Sequence, residues 1–335
     1  LYVSRDDMEI LYKKGLIADL REYISDNTLN TVMPNALELG NKDGKLVGMA
    51  AGVMAYTLMV QDDVWSGDNW TIDDMISLLE SGKLSGRMCY EELQRNVLAD
   101  SAYAIFTLVS DMISGDNFVI DWENMESHFD DERFVKLLKF FSGYDKKQTD
   151  VSEEQLRGAV KYVDLSNLSS VGNYKGLKGN EGWHYVGYPT DSGCGSYIMD
   201  YGMVVVNART TSKEAVTAYM ESFLGMEVQE NFSSDSNYSS FPVLPLSVDD
   251  IVYPDNGKEK ASWHNMNILQ FDDGTTSVHE VNEMFKHCAP AMKRYYAINM
   301  IVADELNAYI SGERTAEETA AIIDDRVQIY LDEIR

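Results

Sequence analysis

Leu46-Val47-Gly48-Met49-Ala50-Ala51-Gly52-Val53-Met54-Ala55-Tyr56-Thr57-Leu58-Met59-Val60, followed after a polar stretch by Trp70-Thr71-Ile72-Asp73-Asp74-Met75-Ile76-Ser77-Leu78-Leu79, decides the fold class. The segments 46–50 and 55–60 are short apolar runs of strand length. Residues 73–79 carry apolar side chains at helical spacing, and Thr71 with an acidic residue three positions on forms a capping box. Strand followed by helix recurs along the chain. Further strands are expected at 160–165, 183–188 and 202–206, and helices at 6–20, 99–114, 130–141, 153–161, 213–232 and 276–311. Gly312 reads as the stop of the last of these, and Thr315 with Glu318 as a second capping box. The alternation predicts α/β architecture with mostly parallel sheets.

A chain of 335 residues suits two domains of ordinary size. Its 44% hydrophobic and 25% charged residues are those of a folded protein. No apolar run approaches the roughly 20 residues that span a bilayer. Lys and Arg number 28 against 55 Asp and Glu, a formal net charge of −27. Such a surface repels nucleic acid and anionic lipid and accommodates a neutral or cationic small ligand. Cys89, Cys194 and Cys288 lack C-x-x-C spacing and read as small buried hydrophobes. No secretory leader is visible after Leu1, which suggests that an upstream segment is missing.

The signatures of common chemistries fail on inspection. His279-Glu280 opens like a zinc-protease helix, but Glu283 stands where the second histidine is needed. Gly193 and Gly195 open like a dinucleotide fingerprint, but Ile198 replaces its last glycine. Asp235-Ser236-Asn237 opens like a calcium loop, but Ser240 and Leu246 occupy the glycine and bidentate-glutamate positions. The five histidines, His128, His184, His264, His279 and His287, have no ligand spacing. No cofactor and no metal are expected. Tyr (20) and Trp (5) supply flat faces with polar handles, the groups on which sugar rings pack while hydroxyls find hydrogen-bond partners.

In this order and at these intervals, a set of short segments resembles the extracellular solute-binding proteins of ABC importers, family 1, of the maltose-binding type. Lys14-Gly15-Leu16-Ile17-Ala18-Asp19-Leu20 with Tyr23-Ile24 is similar to the family's opening, and Asp43-Gly44-Lys45-Leu46-Val47-Gly48-Met49 to the strand before its first crossing. Trp70-Thr71, the stretch from Asp121-Trp122 through Phe134 to Phe140, and Gly187-Tyr188-Pro189-Thr190 with Gly193 and Gly195 follow. Lys213 to Gln229, then Phe241-Pro242-Val243, resemble a later helix and return. Tyr309-Ile310-Ser311-Gly312, Thr315-Ala316-Glu317-Glu318, Arg326 and Tyr330-Leu331 resemble the family's ending. The family's lipoprotein cysteine and first strand–helix repeats have no counterpart here. Val53 stands where maltose-binding members carry a carboxylate.

The resemblance implies a two-lobed, periplasmic-binding-protein-like (type II) α/β fold with a hinge and an interlobe cleft. Lobe one would comprise 1–55 and 202–236, and lobe two 56–201 and 237–335, with crossings near Tyr56, Tyr201 and Phe241. It implies a receptor rather than an enzyme, monomeric, at the extracellular face of the cell membrane and lipid-anchored. Its partners would be a small solute, chiefly a mono- or oligosaccharide, and the ABC permease subunits. Met54, Tyr56, Asp100, Tyr103, Asp164, Tyr197 and Tyr201 are the expected ligand contacts, the rings stacking on sugar faces and the aspartates accepting from hydroxyls. Two alternatives stay open: a binder of an amine or peptide on the same fold, and a glycoside hydrolase using two carboxylates about 5 to 9.5 Å apart.

Overall fold

The computed structural model describes residues 1–83, 118–142, 160–165, 182–191, 195–226, 228–229, 240–245, 277–291 and 296–335. The helix expected at 99–114, nearly all of that at 153–161, and Cys89, Asp100, Tyr103, Cys194 and His264 lie outside the described residues. In chain order the elements begin with β1 (Tyr2–Val3), α1 (Arg5–Lys13), α2 (Asp26–Leu29), α3 (Pro34–Leu39), β2 (Asn41–Lys42), β3 (Lys45–Leu46), β4 (Met49–Ala50), β5 (Val53–Gln61) and α4 (Ile72–Glu80). The hairpin β6 (Ile120–Asp121) and β7 (Glu126–Ser127) leads to α5 (Glu132–Ser142), β8 (Val160–Leu165), β9 (Trp183–Tyr185), β10 (Tyr197–Asp200) and β11 (Met203–Val204). The chain ends with α6 (Lys213–Phe223), α7 (Ser277–His287), β12 (Ala289–Pro290), α8 (Tyr296–Ile310) and α9 (Ala316–Ile334).

These elements form two compact units. One comprises Leu1–Tyr56, Asp164–Glu181 and Ile198–Pro290; the other comprises Thr57–Val163, Gly182–Tyr197 and Ala291–Arg335. The chain therefore changes unit inside β5, β8 and β10, and again just before β9 and just after β12. Strand order is β1-β11-β4 in one sheet and β12-β10-β5-β8, with β9 also on β5, in another.

In the first unit, Tyr2 pairs with Val204, and Met203 with Ala50. Met8, Leu20, Leu39, Leu46, Met49 and Met203, all fully buried, make its centre. Two side-chain amides tie distant segments to it. Asn35 Nδ2 donates to the carbonyls of Phe285 (2.6 Å) and Cys288 (3.0 Å) at the end of α7. Gln229 donates to Phe223 O and accepts from Val243 N–H, both at 3.0 Å.

In the second unit, α9 lies against the β6–β7 hairpin, where Gln328 Oε1 and Asp324 Oδ1 accept from the N–H groups of Ser127 and Phe129, each at 2.9 Å. Phe129 meets Phe134 edge-on at 5.2 Å. Glu305 of α8 is nearly buried and takes both Arg314 and Arg326 as ion-pair partners, locking α8 onto α9. Both capping boxes form. Thr71 N–H donates to Asp74 while Asp74 N–H donates to the Thr71 hydroxyl, and Thr315 and Glu318 repeat the pattern. Gly312, at φ +80°, follows α8 as its stop.

Three expectations need correction. The helix expected at 6–20 ends at Lys13, because Gly15 at φ +65° turns the chain back and Leu16 N–H closes onto Leu11 O. The long helical run 276–311 is two helices separated by β12, since Pro290 lacks the N–H a helix would use there. The helix expected at 213–232 is broken after Phe223, at Leu224 and Gly225, with helical backbone again at Met226, Val228 and Gln229. The sheets also differ from the mostly parallel ones expected: every strand pair with a described register is antiparallel. Long excursions of chain separate most of these strands, and an excursion, unlike a single crossover helix, leaves either direction open.

Candidate functional site

Gly52 and Val53 run beside the chain that leaves β10. Tyr201 N–H donates to Gly52 O at 2.9 Å, Ala51 N–H donates to Gly202 O at 2.8 Å, and Val53 exchanges both backbone bonds with Phe241. This framework sets Met54 and Tyr201, both half-buried, on adjacent segments of the first unit. Gly202 is left-handed at φ +144°, and a Cβ there would fall 2.2 Å from the Tyr2 hydroxyl. Only glycine lets the Tyr2 ring lie on this turn, and the Tyr2 hydroxyl donates to Tyr201 O at 2.6 Å.

Asp200 precedes Tyr201 at the end of β10. Burial pushes its carboxyl above the ordinary carboxylate range; the charge of Arg5 and a backbone N–H pull it back, and Asp6 adds repulsion. A half-buried carboxylate and a guanidinium thus lie in one neighbourhood with two tyrosines, Tyr2 being 57% exposed. That combination supplies an acceptor, donors and flat apolar faces for a polyhydroxylated ligand. Asp200, Arg5 and Tyr2 were not among the residues read from sequence. The available signal for Asp200 was its position at a strand end beside Tyr201.

Of the residues read from sequence, Met54, Tyr56 and Tyr201 belong to the first unit, with Tyr56 buried. Tyr197 belongs to the second unit, fully buried, its ring 5.8 Å from that of Tyr188. Asp164 is a residue of β8 whose side chain, like Asp100 and Tyr103, lies outside what is described.

The glycines at 187 and 195 have a packing role. A Cβ on Gly195 would stand 1.8 Å from Tyr188 O, and Gly187 is left-handed at φ +79°. Around them Thr57 and Ser196 share a hydroxyl bond of 2.7 Å, and Trp70 Nε1 donates to Gly187 O at 2.9 Å. Among the described residues there is no group of three or more His, Cys, Asp or Glu able to hold a metal, and no helix is long and apolar enough to cross a membrane. Cys288 is buried and unbridged.

This mixed α/β architecture is that of the periplasmic-binding-protein type. A family model, bacterial extracellular solute-binding protein, matches residues 1–261. The chain belongs to that family, whose members are receptors rather than catalysts. Among solved structures it is similar to an extracellular solute-binding protein family 1 from Alicyclobacillus acidocaldarius, at 14% identity and a TM-score of 0.61, covering 98% of this chain and 83% of that one. It is also similar to the sugar-binding protein MalE from Xanthomonas citri, at 15% identity and 0.58, covering 100% and 84%. A cyclic alpha-maltosyl-1,6-maltose binding protein from Arthrobacter globiformis matches at 16% and 0.53, covering 97% and 82%. No curated protein matches the chain by sequence.

Proposed function

We propose that this chain is the receptor of an ABC importer, capturing a mono- or oligosaccharide outside the cell and passing it to the membrane permease. The observation that carries the carbohydrate reading is the Asp200–Arg5 neighbourhood flanked by Tyr2 and Tyr201. A carboxylate accepts from sugar hydroxyls, a guanidinium donates to ring and hydroxyl oxygens, and tyrosine faces cover C–H surfaces. The structural relatives named for sugar and maltosyl ligands support the same reading.

Met54 and Tyr201 would contact the solute together with Asp200, Arg5 and Tyr2. Asp100, Tyr103 and Asp164 stay within the proposal as contacts from segments whose side chains are not described. Tyr56 and Tyr197, being buried, would set the position of neighbouring contacts.

The test is a thermal-shift screen over neutral mono- and oligosaccharides, amino acids, peptides and polyamines, followed by calorimetry. A ligand at 100 times its Kd raises stability by about 2.7 kcal/mol. Stabilisation by a neutral sugar, insensitive to added salt, supports the reading. Stabilisation by amines alone, weakening with salt, replaces it with the amine-binding alternative, which the net charge of −27 favours. Turnover of chromogenic glycosides would overturn both.

A further inference from the structure

His184 of β9 stands opposite Val60 of β5, and both of its ring nitrogens are engaged. Nδ1 lies 2.6 Å from Asp62 Oδ1, and Nε2 lies 2.9 Å from the carbonyl oxygen of Gly67. A carboxylate and a carbonyl can only accept, whereas a neutral imidazole carries a single N–H. Both contacts are hydrogen bonds only when the ring holds two protons. With one proton, a nitrogen lone pair faces an oxygen lone pair at one of the two short distances.

The segment so held is the turn 62–69 between β5 and α4. Within it Asp62 N–H donates to Gly182 O (2.7 Å), Val64 and Trp65 N–H donate to Gln61 O (3.0 Å each), and Trp65 Nε1 donates to Asn69 O (2.9 Å). A Cβ on Gly67 would be 2.9 Å from Trp65 Nε1, so a larger residue there would press on the Trp65 ring. The charged groups on the turn are Asp62, Asp63 and Asp68, with Asp73 and Asp74 opening α4 beyond it, all of them acidic. The His184 side chain is 28% exposed and that of Asp62 57%, so the pair is open to solvent.

We infer that His184 is a proton-operated staple: the imidazolium bonds Asp62 and Gly67 at once and fixes the turn 62–69 to β9, and loss of one proton releases the turn. This goes beyond solute capture and does not depend on the identity of the ligand. It gives an extracellular protein, whose surroundings the cell does not buffer, a segment whose order follows external pH.

Hydrogen exchange of the intact chain tests it, with the amides of Asp62, Val64 and Trp65 followed at about pH 5.5 and about pH 8.5, on either side of ordinary imidazole titration. After correction for the intrinsic exchange rate, wild-type protection at these amides should be about 10-fold greater at the lower pH. In His184→Gln, which cannot donate at both ends, protection should be low and equal at the two pH values. Wild-type protection that ignores pH, or a pH dependence that survives in His184→Gln, overturns the inference. The nitrogen spectrum of the wild-type imidazole decides independently of any variant: both nitrogens protonated at about pH 5.5 and one at about pH 8.5 agree with the staple, and a singly protonated ring at the lower pH overturns it.

Discussion

The backbone N–H of Val243 donates to the side-chain oxygen of Gln229 at 3.0 Å, and the same amide donates to Phe223 O, so one buried side chain fixes both the end of α6 and the return segment at 241–243. Gln229→Leu matches the side chain's size but orphans a buried donor and a buried acceptor. Each such group costs about 1 to 3 kcal/mol. The melting temperature should fall by several degrees, measured by calorimetry, and Gln229→Glu, which sets a buried carboxylate against Phe223 O, should fall at least as far.

Glu305 presents the contrasting case of a buried charge. Its side chain is 9% exposed, with Arg314 at 35% and Arg326 at 40%. Breaking a buried ion pair costs about 3 to 5 kcal/mol, and the part-exposed arginines would recover some of that by hydration, leaving about 2 to 3 kcal/mol for Glu305→Ala. Urea titration should show the lower midpoint, and adding Arg326→Ala to Glu305→Ala should cost much less than Arg326→Ala alone.

Asp200 should behave in the opposite way. Its folded-state carboxyl sits above the ordinary value, so the native state holds the proton more tightly than the unfolded chain. Stability from this group is therefore fully present below the ordinary carboxylate value of about 3.9 and is lost as pH rises through the folded one. Asp200→Asn removes that loss. At neutral pH the variant should melt at the same temperature as wild type or higher, and the gap should close in acid. If Asp200 contacts the solute, affinity should drop by about 10-fold or more in calorimetric titration, the pattern of a residue kept for binding at a cost in stability. Unchanged affinity would remove Asp200 from the site.

Gly195→Ala places a methyl 1.8 Å from Tyr188 O, a distance no rotamer relieves. The Tyr188–Tyr197 pair must move, and a loss of about 3 kcal/mol or more is expected. Near-ultraviolet circular dichroism should lose tyrosine signal before the far-ultraviolet spectrum changes.

Sequence revealed the elements whose cause is local. Thr71, Thr315 and Gly312 act through neighbours three or four residues away, and each does what its spacing implies. The length of α1 was misread because the apolar spacing continues through Leu16 and Ile17, while the left-handed Gly15 decides. Strand direction was misread because β1, β11 and β4 meet across some 200 residues, with register pairs such as Tyr2 and Val204. The neighbourhood of Asp200 was invisible for the same reason: Arg5 reaches it only once β1 and β11 have paired. Tyr56 and Tyr197 show the limit of composition, since a tyrosine in a core and one facing a ligand read alike.

Asn35 bonds the carbonyl of Cys288, Tyr2 lies beside Val204, and Ser127 takes its partner from Gln328. Each unit therefore joins early and late segments of the chain, and nearly the whole polypeptide must have left the ribosome before either core is complete. Contacts this far apart make closure slow, because the chain must be brought together before any of them stabilises it.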